Sequence, residues 1–269
     1  ERRITDNPAS DRAPAFSPDG RRVAYLSQSI PGFEADRVRL LVRDVSGGEP
    51  FEASAGLDDG VVEFVWSRDG KTLFFTIEEK AHRILYRAEA RPGARPERLP
   101  GRSVVRRLAL SGDGRSLLYT RESMTAPPDA YALDVKTLRE TRLTDLNGKV
   151  MAGLTLPSVE EIWYDGASLP DGTRQKVHAF LVRPNGVPAG TKVPVVLMIH
   201  GGPQGSWLNG FHPRWSPLGI AGKGIAVALP NITGSTGYGQ AFVNAVSRDW
   251  GGRPFEDTMA LLDHLGTLD

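Results

Sequence analysis

The sequence has no cysteine among its 269 residues. This absence excludes disulfide bonds, thiol nucleophiles and cysteine-ligated metal sites. It leaves the compartment open, because a cytoplasmic and a periplasmic or secreted location are both compatible with such a chain. The five histidines form neither an H-E-x-x-H motif nor any short-spaced pair, so the sequence predicts no metal site and no cofactor.

The chain also lacks a strong net charge and a long apolar run. With 33 basic and 32 acidic residues, the net charge is +1, and no basic run suited to nucleic acid is present. No apolar run approaches the roughly 20 residues that a membrane-spanning helix requires. The sequence therefore predicts neither a nucleic-acid partner nor a membrane span. Its hydrophobic content of 40% is typical of a globular protein with a substantial core.

A repeated pattern occupies the first half of the chain. Three short segments, F-S-P-D-G-R at 16–21, W-S-R-D-G-K at 66–71 and L-S-G-D-G-R at 110–115, each precede an apolar run. Asp-Gly between two apolar segments is a strong β-hairpin signal. The sequence therefore predicts three hairpins built in the same way.

A third strand and a short closing segment are predicted after each hairpin, with Pro127-Pro128 expected to lie between strands. Four-stranded units of about 40–50 residues are typical of β-propeller blades, and a closed propeller has about four to eight of them. Residues 1–150 are therefore predicted to form a partial β-propeller of about three blades. A small antiparallel sandwich is the less favoured alternative.

The pattern changes near Val150, and residues 151–269 alternate strands with helices. Strands are expected at 159–164, 177–182, 195–199 and 225–230, and helices at 217–221, 240–247 and 255–265. This alternation predicts a mostly parallel sheet covered on both faces. The apolar run at 195–199 is typical of a strand buried on both faces.

The 195–199 strand runs directly into His200-Gly201-Gly202-Pro203. A backbone amide exposed in such a loop can stabilise the oxyanion of a tetrahedral intermediate, and the Gly202 amide is predicted to do so. His200 is expected to make a structural hydrogen bond rather than to act as a base, because no nucleophile precedes it. Gly201 and Pro203 are expected to shape the cleft beside it.

The glycine-rich segment 231–239 also follows a strand and precedes a helix. It lacks the Lys-Ser/Thr pair of a P-loop and the G-x-G-x-x-G order of dinucleotide sites, so nucleotide binding is not predicted. It is expected to be a tightly packed turn that shapes the cleft, with Tyr238 as one of its walls. Asp257 and Asp263 are expected to be a helix cap or solvated residues.

Taken together, these motifs resemble the prolyl oligopeptidase family. The resemblance rests on the repeated units, on H-G-G-P at 200–203, on N-I-T-G-S-T-G-Y-G at 231–239 and on D-W-G-G at 249–252. It implies a partial β-propeller followed by the N-terminal part of an α/β-hydrolase domain. It also implies a serine peptidase in which the Gly202 amide forms part of the oxyanion hole, and whose propeller admits only short peptide substrates.

The implied reaction is removal of dipeptides or acylated residues from peptide N-termini through an acyl-enzyme. The sequence departs from the family pattern because it has no G-x-S-x-G turn, and Ser206, Ser216 and Ser235 do not lie on one. We therefore expect none of the catalytic triad here, and the remainder of the peptidase to come from the same polypeptide or a companion chain.

Without that remainder, residues 1–269 are expected to hydrolyse nothing and to expose an unpaired apolar sheet edge. Two alternatives stay open, a carboxylesterase or lipase and a non-catalytic propeller scaffold with a degenerate hydrolase domain. Homo-oligomerisation is also left open.

Overall fold

The structure is a computed structural model that describes residues 3–188, 190–202 and 204–268. The chain divides into two compact units. The first contains Glu1–Arg121 and Pro128–Asp145, and the second contains Glu122–Pro127 and Leu146–Asp269.

The first unit consists of three successive antiparallel meanders of four strands each. The strands are β1 Asp11–Phe16, β2 Arg22–Ser27, β3 Arg39–Asp44, β4 Phe51–Glu52, β5 Val61–Trp66, β6 Thr72–Glu79, β7 His82–Glu89, β8 Glu97–Arg98, β9 Val104–Leu110, β10 Ser116–Ser123, β11 Ala126–Asp134 and β12 Glu140–Arg142. A parallel pairing of Arg83 with Val104 joins the second and third meanders into one sheet. The predicted hairpins and third strands are confirmed.

Pro127 and Pro128 are a correction, because they lie inside β11 rather than between strands. They fall at its beginning, where a strand tolerates a residue without an N–H group. The tip of the β10–β11 hairpin, Glu122–Pro127, belongs to the second unit. There the Met124 N–H donates to Asn209 Oδ1 at 2.9 Å.

The repeated S-x-D-G turn explains why each meander begins with a hairpin. In the first turn, Ser17 Oγ donates to Asp19 Oδ1 at 2.6 Å, and the same carboxylate oxygen accepts from the Arg21 N–H. Gly20 supplies the positive φ of +70° that closes the turn. Ser67 with Asp69 and Ser111 with Asp113 repeat this pairing. The hydroxyl and backbone donors lower the pKa of each of the three aspartates.

The second unit is built around a four-stranded sheet in the order β13-β14-β16-β15. Its elements are α1 Gly148–Ala152, β13 Ser158–Ser168, β14 Arg174–Arg183, β15 Val195–Leu197, α2 Pro217–Ala221, β16 Ala226–Asn231, α3 Gln240–Asn244 and α4 Arg253–Leu265. Among the described strands, β15 with β16 is the one parallel pair of this sheet. The expectation of a mostly parallel sheet is therefore wrong for these strands. A tight turn joins β13 to β14, and a short turn of this kind permits only antiparallel pairing.

The strand predicted to be buried on both faces is also a correction. β15 lies at the edge of the sheet, and Val195 and Val196 are 39% and 38% exposed. The predicted strand also extends beyond the observed one, which ends at Leu197, and the predicted helix at 240–247 ends at Asn244. An apolar run indicates which residues can be buried, but the neighbouring elements decide whether they are.

The two faces of this sheet differ in chemistry. One face packs against α4 through an apolar core that includes Tyr164, Val177 and Leu261. The other face carries Trp163, His178 and other aromatic and polar side chains. Over the described ranges, no helix is long and apolar enough to cross a membrane. In the same part of the chain, no group of three or more His, Cys, Asp or Glu side chains could hold a metal ion.

Candidate functional site

The loop that follows β15 contains the predicted oxyanion donor. Gly202 has a φ of +143°, and a Cβ added there would overlap the backbone of Gln204. Gly201 has open space around it, since a Cβ there would meet nothing within 4 Å. Pro203 lies outside the described residues. The conformation at Gly202 therefore requires glycine, whereas the conformation at Gly201 does not.

Trp207 connects the end of this loop to its beginning through hydrogen bonds. Its indole Nε1 donates to the Met198 carbonyl at 2.7 Å. Its backbone N–H donates to Asn231 Oδ1 at 2.7 Å, and Asn231 Nδ2 donates to its carbonyl oxygen at 3.1 Å. The Thr236 N–H donates to the Gly205 carbonyl at 2.9 Å. The end of β16 and the turn after it thus hold the loop that contains Gly202.

His200 lies at the start of the loop and its ring makes contacts on both sides. Nδ1 is 3.0 Å from the Gly201 carbonyl oxygen, and Nε2 is 2.9 Å from Ser235 Oγ. Burial lowers the pKa of His200, which favours the neutral ring, whose single proton lies either on Nδ1 or on Nε2. The Gly201 carbonyl belongs to the same peptide group as the Gly202 N–H. The contact between His200 Nδ1 and the Gly201 carbonyl oxygen therefore helps to orient the Gly202 amide.

Tyr238 packs within an aromatic cluster on the face of the sheet opposite α4. Its ring centroid is 5.9 Å from those of both Trp163 and His178. Its hydroxyl accepts from Asn231 Nδ2 at 2.9 Å. Earlier in the same turn, Gly234 has a φ of +103°, and a Cβ there would press on Val246 at 2.8 Å. The 231–239 segment is thus mostly buried and tightly packed.

Asp257 is a correction, because it is fully buried rather than solvated or a cap. Its Oδ1 accepts from the Ala167 N–H at 2.7 Å, beside a register shift in β13. Its Oδ2 accepts from the Thr233 N–H at 2.7 Å and from Thr233 Oγ1 at 2.6 Å. The carboxylate therefore ties α4 to β13 and to the turn after β16. Asp263 is exposed, as expected.

The three serines of this region each have a hydrogen-bonding neighbour. Ser235 Oγ donates to the Ile232 carbonyl at 2.6 Å, and Ser216 Oγ accepts from the Gly219 N–H at the start of α2. Ser206 Oγ is 3.4 Å from Thr236 Oγ1. Ser235 and Ser216 have neighbours typical of a turn and of a cap, whereas Ser206 contacts a residue 30 positions away. None of the three lies on a G-x-S-x-G turn.

Sequence reasoning missed the roles of Asn231, His178 and Asp257. Asn231 opens the 231–239 motif, but nothing in the motif indicates that its carboxamide meets a backbone 24 residues earlier. His178 lies opposite Asn231 in the register of β14 and β16, a pairing that follows from the sheet order. Asp257 lies on an apparently ordinary amphipathic helix. For all three residues, the partner is distant in sequence.

Residues 211–269 match the model of the prolyl oligopeptidase family. This is the family that the motifs resemble, and the relatives below match 94% of the chain. The chain is 34% identical over 257 residues to the probable dipeptidyl-peptidase 5 of Arthroderma benhamiae. It is 33% identical to the dipeptidyl-peptidase 5 of Trichophyton schoenleinii. In each case the match covers 35% of the relative, so the chain spans about a third of the length of these proteins.

Solved structures resemble the fold over nearly the whole chain. The acylaminoacyl peptidase of Pyrococcus horikoshii matches with a TM-score of 0.75 and 23% identity, over 92% of this chain and 37% of that one. The dipeptidyl peptidase 4 of Porphyromonas gingivalis matches with a TM-score of 0.73 and 19% identity, over 95% and 35%. At such low identity, the likeness concerns the fold alone.

Proposed function

We propose that the polypeptide containing these residues is a serine exopeptidase that cleaves short peptides near their N-termini through an acyl-enzyme. Residues 1–150 would form part of its β-propeller, as three blades. Residues 151–269 would form the N-terminal portion of its α/β-hydrolase domain. The three four-stranded meanders and the two-unit division of the chain support this assignment. The nucleophile, acid and base would come from elsewhere in the peptidase.

The observation that carries the proposal is the conformation of Gly202 in a loop held by β16. An amide at a strand end, in a glycine-only conformation, can donate to an oxygen that gains negative charge as a carbonyl is attacked. Such a donor acts without side-chain chemistry and needs no reorganisation during the reaction. In this proposal, His200, Gly201, Pro203 and Tyr238 shape the cleft around that oxygen.

The names of the relatives support the substrate class. The similar proteins are dipeptidyl-peptidases and acylaminoacyl peptidases. Both names describe removal of a short or blocked unit from a peptide. Short peptides are therefore the substrates to test, either with a free N-terminal dipeptide or with an acylated first residue.

The first experiment treats the complete polypeptide with a fluorophosphonate, which modifies activated serines, and measures the mass of the denatured protein. We expect one adduct, together with hydrolysis of short peptides that have a free N-terminal dipeptide or an acylated first residue. Ester turnover without peptide turnover would instead indicate a carboxylesterase. The absence of any adduct on a folded, complete protein would overturn the proposal in favour of a non-catalytic scaffold.

Substitution of the two loop glycines tests the role of the Gly202 amide. Gly202→Ala is expected to lower kcat/KM by about 100- to 1,000-fold, the range for loss of one oxyanion donor. The matched variant Gly201→Ala adds the same methyl group in open space, so its effect on kcat/KM should be much smaller. Steady-state kinetics on the preferred peptide substrate provides the measurement. Equal effects of the two variants would contradict the assignment of the Gly202 amide.

A further inference from the structure

The side chain of Asn231 makes several hydrogen bonds beside the loop that contains Gly202. Asn231 is the last residue of β16 and is fully buried. Its Oδ1 accepts from the Trp207 N–H, and its Nδ2 donates to the Trp207 carbonyl oxygen. A single carboxamide therefore bonds to both backbone polar groups of one residue, as a neighbouring strand would.

The rotamer of this carboxamide is determined by its surroundings. The two protons of Nδ2 have three neighbours, because His178 Nδ1 at 3.1 Å and Tyr238 Oη at 2.9 Å lie close besides the Trp207 carbonyl oxygen. A flipped amide would place its oxygen against the Trp207 carbonyl oxygen and its N–H groups against the Trp207 N–H. His178 Nδ1 can accept when the ring proton is on Nε2. In that tautomer the Nε2 proton would face Glu161 Oε2, which lies 3.5 Å away.

Trp207 transmits this constraint to the oxyanion loop. Its backbone is held by Asn231, and its indole donates to the Met198 carbonyl. The segment between Met198 and Trp207, of which the structure describes 199–202 and 204–206, is therefore tied together at its two ends. Gly202 lies in the middle of this loop. Its φ of +143° requires glycine, but glycine can also adopt many other conformations at little cost. The position of its amide therefore depends on the closure of the loop.

We propose that Asn231 is a positioning residue that acts through Trp207 to hold the Gly202 amide where an oxyanion would form. This inference rests on the proposed peptidase function and goes beyond it. An asparagine suits the position because it supplies a donor and an acceptor in one plane without a charge. Loss of the carboxamide would leave the loop free to move, and displacements of about 1 Å in a catalytic group can cost 100-fold in rate.

The experiment compares Asn231→Ala with Gln28→Ala in the complete polypeptide. Gln28 is a matched control in the first unit, because it too is a buried carboxamide that donates to backbone carbonyls, those of Glu34 and Asp36. The readouts are kcat and KM for the preferred peptide, and the affinity for a peptide aldehyde whose hemiacetal oxygen occupies an oxyanion hole. Thermal unfolding of both variants reports the purely structural cost.

We expect Asn231→Ala to lower kcat about 10- to 100-fold while KM changes less than about 3-fold. Affinity for the aldehyde should fall by a similar factor, since it mimics the transition state. Gln28→Ala should lower the Tm and leave kcat and aldehyde affinity unchanged. An active wild type whose Asn231→Ala variant keeps its kcat would overturn this inference and leave the proposed function intact. A complete wild type that neither reacts with fluorophosphonate nor hydrolyses peptides would remove the proposed function, and this inference with it.

A second variant tests the same positioning role if Asn231→Ala does not fold. Trp207→Phe keeps an aromatic ring and the backbone bonds to Asn231 but removes the indole bond to the Met198 carbonyl. It should lower kcat and aldehyde affinity together with little change in KM, because it opens the same loop at its other end. Wild-type kcat in a folded Trp207→Phe protein would contradict the proposal.

Discussion

At the residue scale, Asp257 is the buried group whose contacts join the most distant segments of the second unit. Its carboxylate accepts three hydrogen bonds, from Ala167 and from both donors of Thr233. Gly166 leaves room for it, since a Cβ at that position would overlap Asp257 Oδ1. The nearby Tyr164 hydroxyl is buried. Its pKa is raised, mainly by burial and in second place by the charge of Asp257. A buried carboxylate of this kind is stable only while its donors are in place.

Asp257→Asn is expected to lower the free energy of unfolding by about 2–4 kcal/mol, because its NH₂ group would face a backbone donor in the interior. Urea unfolding at neutral pH measures the change. Asp263→Asn on the same helix is the control, since Asp263 is exposed and its loss should stay within about 0.5 kcal/mol. Equal stability of the two variants would show that the buried bonds contribute little.

The sequence allowed Gly202 and His200 to be nominated but not Asn231 or Asp257. A glycine pair at the end of an apolar strand indicates an unusual backbone, which is a local property. The hydrogen bonds of Asn231 and Asp257 reach Trp207 and Ala167, which lie 24 and 90 residues away. Such pairings follow from the sheet order and the position of α4, and a single sequence contains no direct signal of them.

At the element scale, the S-x-D-G turns recur with nearly the same geometry. In each turn, the aspartate accepts from a serine hydroxyl and from a backbone N–H, and its pKa is lowered mainly by the hydroxyl. A carboxyl whose folded pKa is lowered contributes stability above its unfolded value, and that stability is lost as the pH falls through the folded value. The hairpins of the first unit should therefore weaken in acid.

Asp113→Asn tests this dependence, because the amide keeps an acceptor oxygen but does not titrate. Wild type should lose stability as the pH falls below about 4, the ordinary aspartate value, and the variant should lose less over the same range. Chemical unfolding at a series of pH values provides the data. Asp58→Asn, which alters an exposed carboxyl outside these turns, serves as the control and should follow wild type. Identical pH profiles for Asp113→Asn and wild type would refute this explanation.

At the scale of the whole molecule, β15 leaves an apolar edge in the second unit. Val195 and Val196 are exposed, and Ile199 just beyond the strand is 50% exposed. Among the described strands, β15 pairs with β16 alone and is the last strand of the sheet. An exposed, apolar strand edge presents unpaired backbone groups on which another chain can add a strand.

The 269-residue chain is therefore expected to self-associate through this edge, and Val196→Lys is expected to reduce the association. A lysine on an edge strand opposes strand addition because its charge would have to be buried. Sedimentation velocity over a range of concentrations measures the change. Ile30→Lys adds the same charge to an exposed apolar position in the first unit and should leave the association as it was. A monomeric wild type at all concentrations would contradict the prediction.

The sequence by itself determined the elements whose causes are local. The three hairpins follow from S-x-D-G turns between apolar runs, and the unusual backbone at Gly202 follows from the glycine pair after β15. Tertiary structure alone decided the antiparallel start of the second sheet, the exposure of β15 and the clamp of Asn231 on Trp207. These features depend on which strands become neighbours, and that choice is made by burial and hydrogen bonding across the whole unit. Residue patterns predict short-range geometry well. The hydrogen-bond partners of a buried polar group are distant in sequence and come close to it only when the chain is folded.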